Sequence, residues 1–293
     1  MPRVAVFADI HGNTPALAAV LADIARQAPD EVLVGGDLVG RGPDGRAVCH
    51  AVEAMGWRGV RGNHEDYLLN FRARRVPEAW WGLPLWSASR WMAAQLDARA
   101  ASFIADLPLG ITAHTLPSLH LFHGSPLSND HGLGPWCTDA ELDALLSPLP
   151  GDLLVCAHTH RSMDRPLASG RVVNVGSVGL PFNGDPRAQY AIFHRDSPDG
   201  PWGVELRAVP YDRAQTFDLY DRSGFLSEGG VTSRMLRVEL ELARPALVPF
   251  LKWAETLGID PDTAPVADFF QLYDPDAPTA DFYAVLDRLK PLT

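Results

Sequence analysis

Apolar residues come first in short unbroken runs and then at helical spacing. Residues 4–8 form a nearly all-apolar run, the pattern of a strand buried on both faces. Asn13 or Thr14 can cap the helix that follows. Pro15 suits its first turn, and Leu17, Val20, Leu21 and Ile24 share one face. Residues 31–34 read as a second strand. Asp44 can cap a second helix with Val48, Ala51, Val52 and Met55 inward, and residues 57–60 give a third strand. This β-α-β-α-β order predicts a mainly parallel sheet with right-handed crossovers.

Residues 67–116 are less regular and carry Trp80, Trp81, Trp86 and Trp91. They predict two or three helices, packed on the domain core or forming a cap on the substrate side. Residues 119–122 and 153–157 are strands again, and Thr138 with Glu141 makes a capping box for the helix between them. Residues 172–175, 189–193 and 204–209 predict successive strands of an antiparallel second sheet. Residues 235–242 alternate Leu236, Val238, Leu240 and Leu242 with polar positions, which predicts a half-buried strand. Leu247, Phe250, Leu251 and Ala254 predict a helix, as do Phe282, Val285 and Leu286. Residues 260–278, rich in Pro and Asp, predict a loop.

Composition narrows the function. The chain has 293 residues, 46% of them hydrophobic and 21% charged, which suits one or two globular domains and excludes global disorder. A net charge of -11 argues against non-specific nucleic-acid binding. A small phosphate ester is still compatible, because two divalent ions would reverse the sign locally. No long uncharged apolar run predicts a membrane span, and the N-terminus lacks a signal-peptide apolar region. Cys49, Cys137 and Cys156 show no paired spacing, so a reducing, cytoplasmic setting is expected.

The chemistry lies at the strand ends. Asp9-Ile10-His11, Gly36-Asp37, Gly62-Asn63-His64-Glu65, His123-Gly124 and His158-Thr159-His160 each follow a predicted strand. Strands carry such segments to one sheet edge, where ligands collect. On an extended strand end, residues two apart point the same way, so Asp9 and His11 can serve one ion, and His158 and His160 share a face. Asp37 can bridge two ions, Asn63 offers an amide oxygen, and His123 completes the set. Any one of these residues alone would read as a turn or core residue. Together they point to a two-metal hydrolase. Mixed oxygen and imidazole donors suit Mn, Fe, Zn or similar divalent ions; manganese is the expected occupant, with Fe, Zn, Ni, Co or Mg as alternatives. No G-x-S-x-G elbow supports a serine hydrolase. His114 and His131 lie outside the motifs, and Cys156 reads as a buried inert thiol.

These segments, in this order, resemble the calcineurin-like metallophosphoesterase superfamily over about residues 1–210. Ala157 stands where that family usually has Gly. Asp9-Ile10-His11-Gly12-Asn13 and Asn174-Val175-Gly176-Ser177-Val178-Gly179 are similar to its small bacterial and archaeal branch. The resemblance implies an α/β (α+β) fold: a four-layer αββα sandwich of two mixed sheets with the metals at the sheet edge. It implies that Asp9, His11 and His160 hold one ion, that Asn63, His123 and His158 hold the other, and that Asp37 bridges them. A bridging hydroxide would attack phosphorus, His64 would act as general acid, and Glu65 would orient His64 or another supporting group.

Gly36-Asp37-Leu38-Val39-Gly40-Arg41-Gly42 resembles a segment of serine/threonine protein phosphatases, which implies that Arg41 binds phosphate. Gly40 replaces the acidic residue that supports their catalytic His. The expected activity is hydrolysis of a small phosphodiester or nucleotide-type phosphoester. The alternatives are a phosphomonoesterase, including a protein phosphatase, and a non-catalytic metal-bound scaffold. Residues 211–293 carry no readable motif and are read as a partly helical C-terminal extension, with three roles open: extending the fold, covering the site or forming an oligomer contact.

Overall fold

A computed structural model of the protein describes residues 2–197, 200–277 and 279–289. Strand β1 (Arg3–Phe7) runs parallel to β2 (Glu31–Val34), which in turn runs parallel to the two-residue β3 (Arg58–Gly59). The second sheet contains β4 (Gly110–Thr112), β5 (Leu119–Phe122), β6 (Leu153–Cys156), β7 (Met163–Leu167) and β8 (Gly170–Asn174). β9 (Ala188–His194) and β10 (Gly203–Val209) return to the first sheet. The strand orders are β10-β9-β1-β2-β3 and β4-β5-β6-β8-β7.

The expected run of antiparallel strands at 172–209 is therefore divided. β8 pairs parallel with β6 and antiparallel with β7, whereas β9 pairs antiparallel with β1 and β10. Strand alternation explains the layering. Val4, Val6, Leu121, Val155, Val173 and Ala191 form the core between the sheets. Ala5, Phe7 and Tyr190 face the helices on the first sheet, while Leu154, Cys156 and Val172 face helix Asp139–Leu146 on the second. The result is helices, sheet, sheet, helix.

Helix Thr14–Gln27 begins where expected, with the Asn13 side chain accepting from Ala16 N. Asp44 precedes helix Gly45–Met55 but makes no cap bond, because its carboxylate accepts from the Thr14 hydroxyl. Met55, expected inward, is exposed at the helix end. The tryptophans of the 67–116 segment pack against the core of the first helical layer, with Trp80 stacked on Trp86 at 4.1 Å.

The C-terminal part differs from its sequence pattern. Residues 235–242 belong to helix Gly230–Leu242, not to a strand. Val231, Met235 and Glu239, with Thr232, Leu236 and Leu240, are buried at spacings of four. The period-two alternation of leucines is coincidental, and Leu242 is exposed. The segment expected as a loop contains helix Val266–Leu272, while Pro278 lies outside the described residues. The helices after residue 210 join the same core: Phe225, Met235, Phe250, Trp253 and Phe269 cluster with Phe7, Val20 and Tyr190. All three cysteines are free thiols, and among the described residues no helix is long and apolar enough to cross a membrane.

Candidate metal centre

The motif residues sit just beyond the strand ends rather than on them. β1 stops at Phe7 and β6 at Cys156. Asp9, His11, Asp37, His158 and His160 have φ of 54°, 50°, 51°, 66° and 56°, in the left-handed region. The expected pleated alternation is thus replaced by left-handed turns, which Asp and His tolerate better than most residues but which carry strain. Neighbouring backbone holds these turns. Asp9 N donates to Gly36 O, His11 N to Asp37 O and Gly12 N to Leu38 O. Ser177 Oγ and Gly179 N both donate to Asp9 O, so the 174–179 segment braces the first turn. Gly62 lets two loops touch, since a Cβ there would stand 2.6 Å from Asp37 N.

The turns bring together Asp9, His11, Asp37 and His160 in one cluster, and Asp37, His123 and His158 in another, each with donor atoms within 4.8 Å of one another. Asp37 belongs to both. Asn63 Oδ1 lies 3.1 Å from His123 Nε2 and 2.9 Å from His158 Nδ1, so it points into the second cluster. Backbone carbonyls fix the rings. Val39 O, Leu180 O and Gly35 O lie 3.0, 2.6 and 2.7 Å from the Nδ1 atoms of His11, His160 and His123. Each ring then donates from Nδ1 and presents Nε2 inward.

The donors fit cations better than they fit one another. Burial pushes His11 and His160 down to about 3, so both rings are neutral. Their Nε2 lone pairs nevertheless face each other at 3.0 Å. Asp9 Oδ1 is buried without a hydrogen-bond partner, 3.4 Å from His160 Nε2 and 3.8 Å from His11 Nε2. Facing lone pairs beside an unpartnered carboxylate oxygen are what a divalent ion would reconcile. Burial also raises Asp9 to about 6, against the pull of His123. Burial opposes a charge on His123 too, yet Asp37, 3.3 Å from its Nε2, and Asp9 carry it up to about 10. Burial lowers His158 to about 4.

The Glu65 carboxylate makes no hydrogen bond to the His64 ring. It is fully buried and accepts from the backbone N–H groups of Gly62, Asp37 and Leu38 at 2.7, 2.9 and 2.7 Å, which ties the loop after β2 to helix Asn63–Arg72. Glu65 therefore positions Asp37 through the backbone. His64 is anchored by its own N–H to Asp37 Oδ1 at 2.9 Å. Its Nε2 accepts from Arg41 Nε at 3.2 Å, and burial holds the ring well below the usual imidazole range. Its Nδ1 is buried without a partner. Gly40 packs flat on this ring at φ 81°, and a Cβ there would come 2.6 Å from His64 Cγ. An acidic side chain in that position is sterically excluded.

Arg41 reaches away from the loop to the C-terminal helices. Nη1 donates to Glu239 Oε2 at 3.1 Å, and the Arg41 carbonyl accepts from the Tyr220 hydroxyl at 2.8 Å. Phe182 stacks on His160 with centroids 4.6 Å apart, and the guanidiniums of Arg41 and Arg161 lie 5.8 and 5.9 Å from the Phe182 ring. Sequence reasoning missed Glu239, Arg161 and Phe182. Only Arg161, next to His160, had a sequence signal by adjacency. Ala157 is buried between the sheets, so its methyl group fills core space. His114 is exposed, His131 pairs with Ser125, and Cys156 lies in the core beside the second sheet, its thiol pushed up by burial.

Comparison with known proteins places this centre in a family. The family model described as calcineurin-like phosphoesterase matches residues 2–162. An uncharacterized protein of Methanocaldococcus jannaschii is 25% identical over 231 residues, which are 73% of this chain and 90% of that protein. The crystal structure of a metallophosphoesterase from Sphaerobacter thermophilus aligns with a TM-score of 0.64 at 27% identity, covering 82% of this chain and 99% of that one. That of a hypothetical protein from Pyrococcus horikoshii has the same fold, with a TM-score of 0.68 at 22% identity over 80% of this chain and 98% of the other. The chain belongs to the calcineurin-like phosphoesterase family.

Proposed function

We propose that the protein is a dinuclear metal-dependent phosphoesterase acting on a small phosphodiester or nucleotide-type phosphoester. One observation carries this reading: two donor clusters share Asp37, and in the first the neutral His11 and His160 lone pairs and an unpartnered Asp9 oxygen converge. Asp9, His11 and His160 would hold one ion, Asn63, His123 and His158 the other, and Asp37 both. Manganese is our choice of ion, since oxygen and imidazole donors accept it readily. Bound divalent ions would supply Lewis acidity toward phosphoryl oxygens and lower the pKa of a water between them.

The chain's own residues do the rest. Asp37 also accepts from the His64 backbone, so a displacement of the ions' shared ligand moves His64 with it. His64 is assigned as the proton donor to the leaving oxygen. Its Nε2 accepts from Arg41 and so carries no proton in this arrangement; a phosphoryl oxygen that takes the Arg41 Nε–H would free this nitrogen to take up a proton from solvent, which it then passes to the leaving oxygen. Three free thiols support a reducing, cytoplasmic setting as part of the reading. The charge of -11 disfavours non-specific nucleic acid as substrate.

A phosphomonoesterase reading is favoured by Arg41, whose guanidinium gains more from a dianionic monoester than from a monoanionic diester. The deciding experiment is a turnover panel. Mn-loaded protein is assayed against aryl phosphodiesters, phosphomonoesters and dinucleoside polyphosphates. Diester turnover is expected. Monoester turnover without diester turnover would select the second reading, and no turnover at all would leave a metal-bound scaffold.

A further inference from the structure

The loop that carries Arg41 is held by helices from the C-terminal part of the chain as well as by its near neighbours. Arg41 sits at φ 57°, where a non-glycine backbone stays only if its surroundings hold it. Its carbonyl is gripped by Tyr220 on helix Arg213–Arg222, and its Nη1 by Glu239 on helix Gly230–Leu242. Glu239 is 1% exposed, and its second oxygen accepts from Ala246 N at 2.8 Å and Leu247 N at 2.9 Å, at the start of helix Leu247–Leu257. Both oxygens of the carboxylate are therefore engaged, one by Arg41 and one by the start of helix Leu247–Leu257. A buried charge left unpaired would be strongly destabilising, so Glu239 fixes Arg41 as firmly as Arg41 stabilises Glu239.

Held this way, the guanidinium spends Nη1 on Glu239 and Nε on His64, and among the described residues Nη2 has no hydrogen-bond partner. The Arg41 side chain keeps 21% of its surface exposed. The orientation aims one charged edge along His64 beside the metal donors. No acidic residue can take over from position 40, because His64 fills the space a side chain would need.

We infer that Glu239 is a positioning residue for the reaction: from the C-terminal helices it holds Arg41 against His64, completing a subsite for the free oxygens of a phosphoryl group. The inference rests on the phosphoesterase reading but goes beyond it. It ties helix Gly230–Leu242 to the substrate site.

The test uses the full chain loaded with Mn and inorganic phosphate as the probe, measured by calorimetry. Glu239→Gln is the informative variant. Its amide oxygen can still accept from Ala246 and Leu247, while its NH2 would face the Arg41 N–H, donor against donor. Glu239→Gln and Arg41→Ala are each expected to weaken phosphate binding about tenfold, the scale of one charge-assisted hydrogen bond. The double variant should be no weaker than either single one, because one residue acts through the other. KM for a monoester should rise with the same coupling, and diester KM should change little.

Unchanged phosphate affinity in Glu239→Gln, or losses that multiply in the double variant, would overturn the inference. If Glu239→Gln does not melt cooperatively, the unaltered protein decides through nitrogen-15 NMR. The Arg41 Nε–H, assigned by its disappearance in Arg41→Lys, should exchange far more slowly than the Nε–H of exposed Arg222. Equal exchange would overturn the inference. Phosphate binding that follows this pattern in a protein that hydrolyses no phosphoester would defeat the proposed activity while leaving the Glu239 assignment intact.

Discussion

At the residue scale, Asp37 and His64 separate binding from proton transfer. Asp37 offers its carboxylate to both donor clusters and anchors the His64 backbone. Asp37→Asn is expected to lose both ions and all turnover, which elemental analysis and a coupled assay would check together. His64 is in neither cluster. His64→Ala is expected to keep its metal content and to lose about two orders of magnitude in kcat. The loss should shrink for substrates with acidic leaving groups, which need little protonation. A variant that loses its metal instead would show His64 to be a ligand.

At the element scale, helix Thr14–Gln27 is tied to the first sheet through Asp23. The carboxylate of this buried residue accepts from the Tyr190 hydroxyl on β9 at 2.7 Å, from Arg207 Nε on β10 at 2.8 Å and from Arg26 at 2.8 Å. Burial works against the charge, but these three partners outweigh it and hold Asp23 down to about 2. A carboxylate depressed in the folded state stabilises fully above its unfolded pKa of about 4 and loses that contribution as pH falls toward the folded value. The amount is about 2 kcal/mol. Asp23→Asn should therefore lower Tm at pH 7 and flatten the fall of Tm between about pH 4 and pH 2. Parallel acid limbs in the two proteins would contradict this.

At the scale of the whole molecule, the core is continuous. Phe225, Phe250, Trp253 and Phe269 pack in one cluster with Phe7 and Tyr190, so the helices after residue 210 cover the first sheet's helical layer. A chain ending at residue 210 would expose that surface. It is expected to aggregate or to show no cooperative thermal transition by circular dichroism, and a native-like melt would contradict this. Metal should add to the same global stability, because it binds the folded cluster and not the open chain. Chelation is expected to lower Tm by several degrees, and Mn, bound at two ions per chain, to restore it.

How much was legible follows from how local each signal is. Val4 to Ala8 and Leu153 to Cys156 are continuous apolar runs, so their burial between layers could be read from the residues alone. Each of the five motif segments follows a predicted strand within a few residues, so the chemical nature of the site and its place at the strand ends were also determined locally. The left-handed turns were not, because they depend on hydrogen bonds between the β1 and β2 loops, which are far apart in sequence. Strand partners escaped for the same reason: β8 and β9 are consecutive strands joined by residues 175–187, yet they belong to different sheets.

The C-terminal helices mark the boundary most clearly. Leu236, Val238, Leu240 and Leu242 alternate as in a strand, but burial at residues 231, 235 and 239 follows a helix, because that face packs into the core of the first helical layer. Glu239 then looks like any solvated carboxylate in the sequence. Only the packed structure buries it, 198 positions from Arg41, with a cation on one oxygen and two backbone N–H groups on the other. The donor set and the sheet edge that displays it follow from local residue patterns. The aim of the turns, and the distant helix whose carboxylate holds Arg41, follow only from packing, since both depend on contacts between segments that no local pattern encodes.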